Sequence, residues 1–253
     1  MTSVLRAVSD RALRARSFET AAAEYERHRP DYPEEALRWV ADRLALDGQA
    51  RVLDVGAGTG KLTRALVALG FEVVALEPGN PMLEQLRAAV PEAEALEGQA
   101  EEIPLPDQTI DAAFAGQAFH WFDRERALPE LHRVIRPGGG LALLWNWWDE
   151  RDPLQRELGG LVGYAGHQPY REEELPAAPL FRERGRTVVE TVQESTREGL
   201  IGYLSTSSMF LTMETDERER RLAEVRAIAS RYGERFPLPR LTYVFAFARL
   251  GDG

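Results

Sequence analysis

Two carboxylates bracket a glycine-rich turn. Val52-Leu53-Asp54-Val55-Gly56-Ala57-Gly58-Thr59-Gly60 ends an apolar run in three glycines at alternate positions. Glycine at a strand-to-helix turn lets a ligand approach the backbone closely. The spacing is G-x-G-x-G, and Lys61 stands where the pyrophosphate fingerprint G-x-G-x-x-G has its third glycine. It is not a phosphate-cradling Walker loop either: Val55 replaces the early glycine and Leu62 the Ser/Thr. Asp54, two residues before Gly56, opposes a pyrophosphate and suits a ligand carrying an ammonium group. Seventeen residues after Gly60, a second apolar run ends in Glu77-Pro78. An acid there accepts hydrogen bonds from both ribose hydroxyls. Ribose, an amino group and no phosphate describe S-adenosylmethionine. The alternative is that the glycines only make a tight turn; Asp54, Glu77 and the strand–helix–strand frame weigh against it.

Further residues could act on a second substrate. Gln117-Ala118-Phe119-His120-Trp121 follows a fourth apolar run, Ile110–Ala115. Ligands of open α/β sheets bind beyond the carboxyl ends of the strands. A neutral imidazole at His120 would there take a proton or hydrogen-bond a substrate group; the alternative is a structural bond beside Trp121. Trp145, Trp147 and Trp148 follow the fifth run. They suit the wall of an apolar substrate pocket, with Trp121 and Trp145 as contacts, and equally suit core packing. His132 falls on a predicted helix and is expected at the surface. Ser205–Met209 reads as a polar loop, with a substrate-lining role as the alternative.

These residues need a frame to position them. After a helical stretch over 17–46, capped by Ser17 and interrupted at Arg29-Pro30-Asp31-Tyr32-Pro33, apolar runs alternate with helical patterns. Strands are predicted at Arg51–Val55, Glu72–Leu76, Glu94–Glu97, Ile110–Ala115, Leu141–Trp145, Arg186–Glu194 and Thr242–Leu250. Helices are predicted at Glu34–Leu44, Lys61–Leu69, Pro81–Val90, Arg124–Ile135, Pro153–Val162, Thr196–Leu204 and Asp216–Tyr232, the last capped by Thr215. Such alternation implies an α/β, Rossmann-like, doubly wound parallel sheet with helices on both faces. One domain is expected over 1–253: a helical cap (1–48), a cofactor-binding core (49–149), an insertion after strand 5 (150–184) and completing strands and helices (185–253).

In order along the chain, the glycine loop, Gly98-Gln99-Ala100-Glu101-Glu102-Ile103-Pro104-Leu105, Ile110-Asp111-Ala112-Ala113-Phe114 and Leu131-His132-Arg133-Val134-Ile135-Arg136-Pro137-Gly138-Gly139 resemble the class I S-adenosylmethionine-dependent methyltransferases. The resemblance runs from about Phe18 to Asn146. It implies seven strands with the last antiparallel. It also implies a cofactor site holding Asp54, Gly56, Ala57, Gly58, Thr59, Gly60, Glu77, Pro78 and Met82, with Gln99, Ala100 and Glu101 near the adenine and Gln117 near the methionine part. In relatives the cap closes over the cofactor, which adds Tyr25 and Arg29; the alternative is that Arg-Pro-x-Tyr-Pro only fixes the angle between two helices. Phe18, Tyr25, Arg29-Pro30-Asp31-Tyr32-Pro33 and Phe119-His120-Trp121 are similar to the branch around trans-aconitate methyltransferase. The implied reaction is methyl transfer to a small molecule, on a carboxylate or hydroxyl, yielding S-adenosylhomocysteine. His120 is the candidate base or substrate contact. The competing readings are a dinucleotide oxidoreductase, a cofactor-binding protein without transfer and a nucleic-acid methyltransferase.

Composition narrows the field. Among 253 residues, 31 Lys+Arg and 41 Asp+Glu leave a net charge of −10, which disfavours phosphate backbones. The chain contains no cysteine, excluding disulfides, thiolate catalysis and Cys-ligated zinc. That permits the cytoplasm. No clustered His/Asp/Glu spacing points to a metal, and no run of 18 apolar residues points to a membrane span. Monomer and homodimer remain equally open.

Overall fold

The computed structural model describes residues 22–251; the Ser17 cap expected from sequence lies outside them. Helix α1 (Ala22–His28) and α2 (Glu34–Leu44) precede β1 (Arg51–Val55), α3 (Lys61–Ala68), β2 (Glu72–Glu77), α4 (Asn80–Ala89), β3 (Glu94–Glu97) and β4 (Ile110–Gly116). Then come a 3₁₀ turn (Phe119–Trp121), α5 (Arg124–Val134), β5 (Ile135–Trp148) and α6 (Pro153–Leu161). A 3₁₀ turn (Glu172–Glu174), β6 (Phe181–Thr196), α7 (Arg197–Ser205), α8 (Ser208–Leu211), α9 (Thr215–Ala229), a 3₁₀ turn (Ser230–Tyr232) and β7 (Arg235–Arg249) complete the chain. The sheet has seven strands in the order β3-β2-β1-β4-β5-β7-β6. β3, β2, β1, β4 and β5 pair in parallel, and one strand of the seven is antiparallel. No helix among the described residues is long and apolar enough to cross a membrane.

The chain divides into two compact units. Of the described residues, the larger holds Asp31–Asn146, Tyr170–Val189 and 242–251; the smaller holds 22–30, Trp147–Pro169 and Glu190–Leu241. The segment expected as one insertion over 150–184 is thus divided at Pro169.

In the larger unit the strands alternate between two cores, as a side-chain period of two requires. Leu53, Val55, Val74, Leu76, Ala113 and Ala115 meet Ala127, Leu131 and Val134 of α5. Val52, Val73, Ala112 and Phe114 meet Leu37, Val40 and Leu44 of α2 and Leu62 and Leu66 of α3. Burial on both faces explains why these strands read as continuous apolar runs. The smaller unit has its own core, in which Leu154 and Leu158 of α6, Leu200 and Leu204 of α7, Val225 of α9, Trp148, Phe236 and Leu238 pack together.

Three strands are longer than their sequence suggests. β5 begins at Ile135, paired with Ile110, and the register shifts before Ala112 pairs with Gly140; Pro137-Gly138-Gly139, read as a stop, is absorbed by this irregularity. A Cβ at Gly140 would come 2.4 Å from the Phe247 carbonyl oxygen, so only glycine allows the strands this close. β6 extends over Phe181–Thr196 although most of it is exposed, because as the edge strand it buries little and carries no apolar signal. β7 starts at Arg235: Phe236, Leu238 and Arg240 are buried, while Pro237 is exposed and Pro239 half-buried between them. Helix α9 is preceded by Glu214 with no side-chain cap bond, so Thr215 does not cap it. Thr196 does cap α7, its side chain accepting from the Gly199 N–H at 3.0 Å.

Candidate active site

Asp54 and Glu77 stand at the carboxyl ends of β1 and β2, neighbours in the sheet. The Asp54 side chain is buried and accepts a hydrogen bond from Thr63 Oγ1 of α3 at 2.6 Å through Oδ2. Its other oxygen, Oδ1, is buried and accepts none. Burial, reinforced by the charge of Glu77 and only partly offset by Thr63, pushes the Asp54 carboxyl up to about 7. Glu77 accepts the Gly58 N–H at 2.9 Å and the Gly79 N–H at 3.0 Å, one on each oxygen. A carboxylate oxygen has two lone pairs, the chemistry that accepts from a ribose hydroxyl.

The loop between them is held in conformations glycine favours. Gly56, Gly58 and Gly60 all have positive φ, at 70°, 58° and 91°. A Cβ at Gly56 would sit 2.7 Å from Ala118 Cβ, whereas one at Gly58 would meet nothing within 4 Å. Gly56 is therefore required by packing, and Gly58 turns an open backbone outward. An orphaned oxygen on Asp54, a second carboxylate at the end of the neighbouring strand and open space at Gly58 fit S-adenosylmethionine, with Asp54 suited to its ammonium and Glu77 to its ribose hydroxyls. Ala57 and Thr59 are buried in the loop, Met82 is buried on α4 and Pro78 is exposed. Ala100 lies in the core while Gln99 is exposed. The Glu101 carboxylate accepts the Asp123 N–H at 2.6 Å.

At the end of β4, Gln117 adopts φ 57°, a conformation that non-glycine residues rarely take. Its backbone N–H bonds Leu144 O at 2.9 Å and its Nε2 donates to Asn146 O at 2.6 Å, tying β4 to β5. His120 and Trp121 occupy the following 3₁₀ turn, with ring centroids 4.6 Å apart. Trp145 Nε1 donates to His120 Nδ1 at 3.3 Å. Trp145 is 1% exposed and packs against Phe119, Tyr170 and Phe245. Trp148 lies in the core of the smaller unit and Trp147 beside it. His132 is half-buried rather than at the surface: it bonds the Leu250 carbonyl at 2.8 Å and meets Phe181 edge-on. The helix face that looked polar is covered by the chain's last strand and the start of β6.

The Arg-Pro-x-Tyr-Pro motif is divided between the units. In the larger one, Asp31 pairs with Lys61 and Arg64 of α3, both at 3.1 Å, and a Cβ on Gly116 would come 2.5 Å from the Tyr32 hydroxyl. Asp31 and Tyr32 were read from sequence only as part of this motif, with no role of their own, and Thr63 was not singled out. A buried threonine within the apolar face of α3 was the available signal for Thr63. In the smaller unit, Arg29 donates to Thr206 Oγ1 at 3.1 Å and Thr206 O at 2.8 Å, with Tyr25 and Tyr203 rings 5.1 and 4.8 Å from its guanidinium carbon. Thr206 and Ser207, expected in a polar loop, are buried. A cavity of about 630 Å³ in this unit is lined by His28, Glu198, Gly202 and Arg218 among others, and by Ser205 and Thr206 of the segment weighed from sequence as substrate-lining, but by none of the residues assigned to the cofactor.

Comparison with known proteins agrees with this geometry. A family described as a methyltransferase domain matches residues 53–143. An uncharacterised methyltransferase of Mycobacterium tuberculosis is 45% identical over 212 residues, 84% of this chain and 85% of that protein. A malonyl-[acyl-carrier protein] O-methyltransferase of Pectobacterium atrosepticum is 34% identical over 175 residues, 64% of this chain and 69% of that one. A solved structure from Anaeromyxobacter dehalogenans, provisionally described as a type II methyltransferase, superposes with a TM-score of 0.69 at 28% identity, covering 88% of this chain and 99% of its own. The glycine loop, its two carboxylates and these relatives together establish that the chain belongs to the class I S-adenosylmethionine-dependent methyltransferases.

Proposed function

We propose that this methyltransferase acts on an oxygen of a small molecule, a carboxylate or a hydroxyl. The observation that carries this reading is the Trp145–His120 hydrogen bond. With Nδ1 accepting from the indole, a neutral His120 keeps its proton on Nε2 and presents a donor. A donor matches the lone pairs of an acceptor oxygen. The Pectobacterium relative, named for O-methylation of malonyl-[acyl-carrier protein], supports the same class.

The cofactor supplies an electrophilic sulfonium methyl. Transfer to a carboxylate oxygen would leave S-adenosylhomocysteine and release no proton; transfer to a hydroxyl would also release that hydroxyl's proton, to water. Asp54, the glycine loop and Glu77 would hold the donor, with Gln117 toward its methionine part and Gln99, Ala100 and Glu101 toward its adenine. The protein's work is alignment and exclusion of water. His120 orients the acceptor oxygen; a carboxylate acceptor needs no base.

The test is a methyl-transfer assay across small carboxylic acids and hydroxylated compounds, with the product identified by mass spectrometry. A product whose new methyl is on oxygen is expected, labile to mild alkali when it is an ester. A product methylated on nitrogen or carbon would overturn the reading.

A further inference from the structure

In the smaller unit Arg29 and Arg240 face one tyrosine ring, and neither has an ion pair among the described residues. Arg240 on β7 is 5% exposed, and its Nε is buried without a hydrogen-bond partner. Its guanidinium carbon lies 4.2 Å from the centroid of the Tyr203 ring. Arg29 faces the same ring at 4.8 Å, anchored through Thr206. Tyr203 accepts from Trp148 Nε1 at 3.1 Å. Ser207 Oγ, beside the Tyr164 hydroxyl, is also buried and makes no hydrogen bond of full geometry.

Lys61, similarly buried, meets Asp31, and 41 acids are available across the sequence. An unpaired buried charge is costly, and arginine does not shed its proton to escape. Burial holds the Arg240 guanidinium below its usual value. Burial would raise the Tyr203 hydroxyl, but Arg240 and Arg29 outweigh it and draw it down. A negative charge seated here would offset the cost.

We propose that Arg240, Arg29, Tyr203 and Ser207, all in the smaller unit, form a binding site for the carboxylate of a small organic acid. Arginine's planar fork matches a carboxylate in two parallel hydrogen bonds, and the hydroxyls of Tyr203 and Ser207 add donors. The site takes its ligand by charge, which the O-methyl reading alone does not require.

Thermal unfolding of the full chain tests this, with acetate, benzoate, succinate, citrate and inorganic phosphate added at matched ionic strength, and S-adenosylhomocysteine added separately. At least one carboxylate is expected to raise the Tm of the wild type saturably and to leave Arg240→Met unshifted. Arg240→Met itself is expected to fold with a Tm no lower than the wild type, because it removes an unpaired buried charge. Ser207→Ala, which leaves both arginines in place, is expected to weaken the carboxylate about tenfold. The proposal is overturned if none of the carboxylates shifts the wild type, if phosphate alone does, or if Arg240→Met or Ser207→Ala responds as the wild type does. S-adenosylhomocysteine should raise the Tm of every variant. A carboxylate shift without a response to S-adenosylhomocysteine would leave this site standing and remove the cofactor assignment instead.

Discussion

The indole of Trp145 donates to Nδ1 of His120 at 3.3 Å, and this fixes which imidazole nitrogen can serve the acceptor. His120→Gln places an amide donor near the position of Nε2 and should keep more activity than His120→Ala. A positioned hydrogen bond is worth about 1.5 kcal/mol, roughly tenfold, whereas a general base contributes about 10²–10⁴-fold. With the true acceptor, His120→Ala should therefore lose about tenfold in kcat/KM with no new pH dependence. A loss beyond a thousandfold, or a profile that rises with pH only when His120 is present, would make it a base.

Asp54 sets a pH signature. Its carboxyl is raised by burial from 3.8 to about 7 in the folded chain, so the folded state holds its proton more tightly than the unfolded one. The stability linked to that proton is present below about pH 4 and lost as pH rises to about 7. The loss amounts to about 4 kcal/mol at full ionisation, taking 1.36 kcal/mol per pKa unit. Asp54→Asn should be more stable than the wild type at pH 8 and converge with it at pH 4. Chemical denaturation at the two pH values measures the difference, and parallel curves would show that Asp54 does not ionise within the fold.

Gly58 offers a substitution that separates binding from folding. With φ 58° and open space where a Cβ would go, Gly58→Ala should cost about 1–2 kcal/mol of stability for the left-handed backbone. Affinity for S-adenosylhomocysteine should fall at least tenfold, because the methyl occupies the side the ligand approaches. Unchanged affinity would move the cofactor away from this loop.

Two glycines elsewhere should behave oppositely. Gly140→Ala forces a Cβ against the Phe247 carbonyl oxygen and should destabilise by roughly 2–3 kcal/mol, an overpacked core position. Gly160 lies in α6 with nothing within 4 Å, and Gly160→Ala should stabilise by about 1 kcal/mol through helix propensity. Urea midpoints of the two variants check both signs.

Much of the larger unit was legible because its strands are buried on both faces and end in residues with chemistry. Asp54, Glu77, Gln117 and His120 all fall at strand termini or just beyond; the residues themselves pointed to Asp54, Glu77 and His120, and the family resemblance to Gln117. The remainder depends on pairings that no local pattern encodes. Arg29, placed near the cofactor by the resemblance, donates to Thr206, a pairing across 177 residues. Arg240 sits between a proline and a leucine in a stretch that read as a break, and only the alternation of Phe236, Leu238 and Arg240 reveals a strand. β6 was cut short at both ends because an exposed edge strand has no apolar period to read.

The most direct test is calorimetric titration of the wild type, Asp54→Ala and Glu77→Ala with S-adenosylmethionine and S-adenosylhomocysteine, each variant confirmed folded by circular dichroism. Both ligands should bind the wild type, and both variants should lose at least tenfold in affinity, about 1.4 kcal/mol. Wild-type affinity in the two folded variants would contradict the assignment of these carboxylates to the cofactor.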